Sequence, residues 1–146
     1  MREILFRGQT RKKGQKVWMD GSPVDGQWVY GGVLQGIGYF SVIYGGKNAN
    51  DPSEGLEKWC VYTDTLGQFT GLTDKNGTKI FEGDIVQFYG TYNLEVFIEN
   101  GHTEIRWFDT VTNSECKDMF YGNDEELGEC EVIGNIHDNP ELLNGR

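Results

Sequence analysis

Two Asn-Gly pairs, Asn76-Gly77 and Asn100-Gly101, each stand between short apolar runs, and they constrain the fold more than any other feature. Asn-Gly suits the type I′ turn, whose two central residues both need positive φ and whose twist matches that of paired strands. Residues 68–72 and 79–81 bracket the first pair, and residues 94–99 and 102–108 flank the second, so each reads as a hairpin. Similar punctuation recurs elsewhere. Ile4-Leu5-Phe6 and residues 16–19 flank a polar turn at Arg11–Gln15, and residues 20–26 turn the chain into Trp28-Val29-Tyr30, where Trp28 and Tyr30 share a face. Residues 39–44 read as a strand with Phe40, Val42 and Tyr44 on one side. Residues 45–55 form the longest loop, and Glu82-Gly83-Asp84 turns into a strand over residues 85–89. Residues 132–136 close the series, followed by a single helical turn with Asn139 as cap and Pro140 at its first position.

Composition agrees with this reading. Glycine occurs 21 times and the aromatics make up 13%, whereas Ala49 is the single alanine and leucine occurs nine times in 146 residues. Helices draw on Ala, Leu, Glu and Lys, while Gly and the aromatics suit turns and half-buried strands. The expectation is an all-β, mainly antiparallel fold of about nine strands with no long helix. A shift in composition near residue 64 divides it into two packed β subdomains, residues 1–64 and 65–146. Bent strands around residues 83–86, a hairpin and a closing strand suit a small SH3-like barrel for the second.

The charge is uneven. The formal net is −10, but residues 1–60 hold eight Lys/Arg against six Asp/Glu, while residues 61–146 hold five against 17. Affinity for nucleic acid comes largely from cations displacing phosphate counterions, so direct DNA or RNA binding is not expected. Three cysteines, Cys60, Cys116 and Cys130, have no paired spacing, which excludes a zinc ribbon or a disulfide framework as readings. The first residues alternate charge with three apolar side chains and do not read as a secretory signal. Residues 33–46, uncharged but broken by four glycines, do not supply the ~20 consecutive apolar residues of a membrane span. A soluble, intracellular protein without membrane contact is the expectation.

Residues 1–8 and 28–31, then 67–86 (Gly-Gln-Phe-Thr-Gly-Leu-Thr-Asp-Lys-Asn-Gly-Thr-Lys-Ile-Phe-Glu-Gly-Asp-Ile-Val) and 132–142 (Val-Ile-Gly-Asn-Ile-His-Asp-Asn-Pro-Glu-Leu), resemble blocks of the YopX family of phage and prophage proteins. They lie in the family's order and frame nearly the whole chain. The resemblance implies a β-rich fold and a phage or prophage origin, and it supplies no catalytic residues. Residues 9–27 are longer than the family's usual turn, and His137 stands where an aromatic is common.

Within these blocks the glycines Gly71, Gly77, Gly83 and Gly134 read as positions of positive φ or close backbone approach. Asp74 and Asp84 suit turn capping. Asp74, Glu82 and Asp84 are also the candidates for a divalent-metal site, on spacing alone. His102 and His137 lie in no catalytic context, no cysteine is flanked by positive charge that would favour a thiolate, and no phosphate-binding glycine loop is present. Trp18, Trp28, Trp59 and Trp107 read as core rather than as a stacking platform. The expectation is therefore no catalytic residue and no cofactor. Residues 115–131 carry seven acids against one base and read as a solvated excursion, or as an acidic surface imitating DNA phosphate. The function expected is that of a non-enzymatic phage accessory protein that self-associates or binds a host or phage protein, basic N-terminal region against acidic C-terminal half. The alternatives are an acidic DNA-mimic inhibitor and a metal-dependent enzyme using Asp74, Glu82 and Asp84.

Overall fold

The computed structural model describes residues 4–15, 26–34 and 38–143. Its elements are β1 (Phe6–Arg11), β2 (Gln27–Leu34), β3 (Phe40–Gly46), β4 (Glu57–Tyr62), a 3-10 turn (Thr63–Thr65), β5 (Gly67–Thr73), β6 (Lys79–Phe81), β7 (Asp84–Phe88), β8 (Tyr92–Glu99), β9 (His102–Asp109), β10 (Ser114–Met119), α1 (Asp124–Gly128), β11 (Cys130–Asn135) and a second 3-10 turn (Pro140–Leu142). The strands form two antiparallel sheets, and the chain divides into two compact units, Met1–Phe69 and Thr70–Arg146, with the boundary inside β5.

In the first unit the strand order is β4-β3-β2-β1-β5. Alternation along the strands puts Val29, Ile43 and Val61 on one face, where they are at most 1% exposed and pack with Val33, Trp59 and Leu66. The opposite face carries the cross-strand set Leu34–Val42–Cys60 and Phe40–Tyr62. Leu34, Phe40 and Tyr44 are more than half exposed there. The 3-10 turn is tied to β1, because Gln9 N–H donates to Thr65 Oγ1 (2.8 Å) and that hydroxyl donates to Tyr62 O (2.7 Å). The partner expected for β1 at residues 16–19 lies outside the described residues; the described neighbours of β1 are β2 and β5.

In the second unit the five-stranded sheet runs β10-β9-β8-β7-β11 around a core of Ile80, Val86, Phe88, Val96, Phe120 and Cys130. The expected SH3-like closure is not what the pairing gives. Closure would join β10 to β11, but the chain leaves β10 through residues 120–123 and α1, and β11 then pairs with β7. Two strands beyond the expected nine are present among the described residues, β4 and β10. The segment 115–131, expected as an excursion, holds β10, α1 and the start of β11. A mostly charged strand at a sheet edge shows little alternation of polarity, because neither face is covered.

The two Asn-Gly turns differ. At Asn100-Gly101 both residues have positive φ (53° and 81°) and Glu99 pairs with His102, as a two-residue type I′ hairpin requires. At Asn76-Gly77 only the glycine does (81°). There Asp74 N–H donates to Thr78 O and Gly77 N–H to Asp74 O, so the loop is longer and a glycine in the left-handed region ends it. No helix among the described residues is long and apolar enough to cross a membrane.

Candidate functional site

The three candidate metal carboxylates belong to the second unit, and each is engaged by backbone. Asp74 is 6% exposed; its Oδ1 accepts from Asn76 N–H and Thr78 N–H (both 2.9 Å) and its Oδ2 from Val132 N–H (2.8 Å). Lys75 N–H donates to Cys130 O beside it, so the β5–β6 turn is bonded to the outer edge of β11. Asp84, 2% exposed, accepts from Phe81 N–H (2.7 Å) across the tight turn that Gly83 makes with φ of 92°. Glu82 Oε2 accepts from Ile98 N–H at 3.4 Å. Buried carboxylates bonded in this way complete the backbone's hydrogen bonding, which is the turn-capping role. Among the described residues, no group of three or more His, Cys, Asp and Glu side chains is placed to hold a metal ion, so the spacing of Asp74, Glu82 and Asp84 does not translate into one.

The block over residues 132–142 is likewise a backbone network. Asn135 Oδ1 accepts from His137 N–H and Asp138 N–H, while Asn139 Oδ1 accepts from Asn135 N–H. A methyl at Gly134 would lie 2.5 Å from that Asn139 oxygen, which explains the glycine. The expected Asn139 cap therefore takes a different form: Pro140 opens the 3-10 turn, but the Asn139 side chain reaches back to β11 and makes no cap bond.

The remaining nucleophile and base candidates lie apart from these. Cys130 is fully buried in the core, and burial, followed by the charge of Asp74, pushes its thiol up to about 12. Cys60 is exposed on β4 and Cys116 half-buried on β10. His102 sits at the β8–β9 turn with its Nε2 3.8 Å from Glu104. Across β8, β9 and β10, Lys117 contacts Glu99 (3.1 Å) and Arg106 contacts Glu115 (3.8 Å). The Lys117 hydrogen bond, followed by one with Glu104, holds the Glu99 carboxyl below its ordinary value. Exposed pairs of this kind contribute little to stability.

Two surface features remain. In the second unit a groove of about 450 Å³ is lined by Phe88, Tyr89, Tyr92, Leu94, Ile105 and Trp107, together with Asp118 and Glu126. Strand alternation builds it. Ile105 and Trp107 lie on one face of β9, and Asp118 stands opposite Ile105 on β10. Tyr92 is paired with Phe88 across the β7–β8 turn. Tyr89 and Tyr92 are 60% and 61% exposed, and Tyr89 holds a φ of 54°, unusual for a bulky residue. Glu126 is placed by α1, whose N-cap Asn123 accepts from Glu126 N–H (2.9 Å). Its Oε1 is shielded from solvent and has no hydrogen-bond partner. Trp107 thus lines a groove rather than filling the core, a departure from the expectation. Trp59 packs on the first unit's core and donates to Gly45 O; Trp28 is half-buried beneath Arg7; Trp18 lies outside the described residues.

In the first unit the basic turn after β1 is held in shape. Gln15 N–H donates to Lys12 O, Lys12 N–H donates to Gln15 Oε1, and Gln15 Nε2 donates to the Tyr62 hydroxyl (2.6 Å). Lys12 Nζ lies 2.8 Å from Asp64 and 4.8 Å from the Tyr62 ring centroid. Arg11 and Lys13 on either side of it are exposed, and Tyr39 (85% exposed) and Phe40 (52%) border the same hollow as Lys12. Sequence reasoning found the basic turn but missed the groove. The signal available was Tyr89-Gly90-Thr91-Tyr92, two tyrosines set around a glycine turn, where neither ring has room in the core.

The profile described as YopX protein matches residues 26–144, most of the chain. No curated protein matches it.

Proposed function

Because the chain belongs to the YopX family, we propose that it is a phage or prophage accessory protein that acts by binding protein, first of all other copies of itself, and not by catalysis. Its place of work is the cytoplasm of the bacterial host. The observation that carries this reading is the pairing of charge with open apolar surface. The first unit has eight Lys/Arg against seven Asp/Glu, a net of +1, and exposes Leu34, Phe40 and Tyr44. The second has five against 16, a net of −11, and exposes Tyr89 and Tyr92 beside the groove. Surfaces of opposite sign steer association, and apolar area removed from water supplies its affinity. The acids and the buried thiol that chemistry would need are engaged in backbone and core, which supports the same reading.

Light scattering across a salt series tests it. A mass above 16.6 kDa at low salt that falls as salt rises supports charge-assisted self-association. A 16.6 kDa particle at every salt concentration removes it. One observation favours a second reading. Glu115, Asp118, Asp124, Glu125 and Glu129 are all exposed along β10, α1 and the residue after it, as an acidic surface imitating DNA phosphate requires. Displacement of DNA from a basic DNA-binding protein by the wild-type chain, undiminished when these acids are replaced, would remove that second reading.

A further inference from the structure

The groove of the second unit has a chemistry that specifies its occupant. Its lining is mostly aromatic and aliphatic, and its two charged side chains, Asp118 and Glu126, are both carboxylates. Glu126 Oε1 is out of water without a donor. A carboxylate oxygen in that position carries a desolvation cost that a bound N–H would offset. An arginine or lysine side chain meets both demands, since its hydrocarbon stem lies on aromatic rings while its head reaches a carboxylate.

The chain presents that chemistry on its other unit. Arg11 and Lys13 stand exposed on a turn fixed by Gln15 and Tyr62, with Tyr39 and Phe40 bordering the hollow at its base. We infer that the groove lined by Phe88, Tyr92, Leu94, Ile105 and Trp107 receives the basic turn Arg11–Lys13 of a second copy of this chain, with Asp118 and Glu126 taking its charges. The inference rests on the self-association proposed above and names its two surfaces. Turn and groove are different patches, so each copy offers one of each, and the contact closes either reciprocally in a two-fold dimer or head to tail in a larger ring.

Two charge-reversed variants test this, each leaving one surface intact. The groove variant carries Asp118→Lys and Glu126→Lys; the turn variant carries Arg11→Glu and Lys13→Glu, with Lys12 untouched. Each alone is expected to sediment as a 16.6 kDa particle under conditions where the wild type associates, and an equimolar mixture to regain association, because each reversed surface is complementary to one on the other variant. Tyr92→Ala, which changes no charge at an exposed position, is expected to weaken wild-type association about tenfold. A cooperative thermal transition in each variant, at the temperature the wild type shows under dissociating high salt, establishes that all are folded. Variants that associate as the wild type does overturn the assignment of surfaces and leave self-association standing. Loss of association in the groove variant but not in the turn variant overturns the occupant and points to another basic segment. A wild type that is monomeric at every salt concentration overturns the underlying reading as well.

Discussion

Asp74 holds three backbone N–H groups from a position 6% exposed, so an amide there turns one of its two acceptor atoms into a donor facing another donor. Asp74→Asn is expected to cost about 2 kcal/mol, the scale of a charged hydrogen bond lost in a buried place, and to lower the melting temperature by roughly 4–8 °C. Calorimetry of the variant checks it; an unchanged melting temperature would free Asp74 for another role. Cys130 offers a second test at this scale. Its thiol stands at about 12 against an ordinary 9.0, which cuts the thiolate fraction near pH 8 about a thousandfold. A thiol reagent at that pH is therefore expected to modify exposed Cys60 quickly and leave Cys130 intact in the native protein. The unfolded chain gives up this proton from pH 9 upward while the native one keeps it. Stability therefore falls as pH rises from 9 towards 12. Rapid native labelling of Cys130 would mean that the core around Phe88 and Phe120 opens.

At the scale of the element, the turns decide what was legible. Asn100-Gly101 forms the hairpin its residues predict, with both φ values positive. Gly101→Ala puts a Cβ into the left-handed region and is expected to cost about 1 kcal/mol, read from the denaturant midpoint; no change there would mean the turn relaxes to another type. Asn76-Gly77 was legible as a turn but not in its type, because the Asp74 side chain takes two of the loop's N–H groups and the loop lengthens around it. β3 was readable from its period of two, although the face that aligns Phe40, Val42 and Tyr44 is the open one and Ser41 and Ile43 are the buried side. β10 was not, because Glu115, Lys117 and Asp118 give an exposed edge strand no apolar rhythm. The roles of Asp74 and Asp84 as caps were readable because such capping is local. The groove was not, since it joins β7, β8, β9, β10 and α1, and residues 88 and 126 meet through tertiary structure alone.

For the whole molecule, the account is a division of labour. The residues that carry the YopX resemblance, Asp74, Gly83, Asp84, Gly134 and Asn135 among them, hold turns and strand edges in place. Association is assigned to other parts of the surface, the aromatic groove with its two carboxylates and the basic turn beyond β1. Thermal unfolding of the wild type over a range of protein concentrations, with and without Mg²⁺, Mn²⁺ or Ca²⁺, tests both halves together. Self-association stabilises the native state by mass action, whereas carboxylates already bonded to backbone gain nothing from a divalent ion. The predicted result is a melting temperature that rises with protein concentration and ignores the metal. A melting temperature independent of concentration and raised by a divalent ion, with the rise lost in Asp84→Asn, would contradict the account.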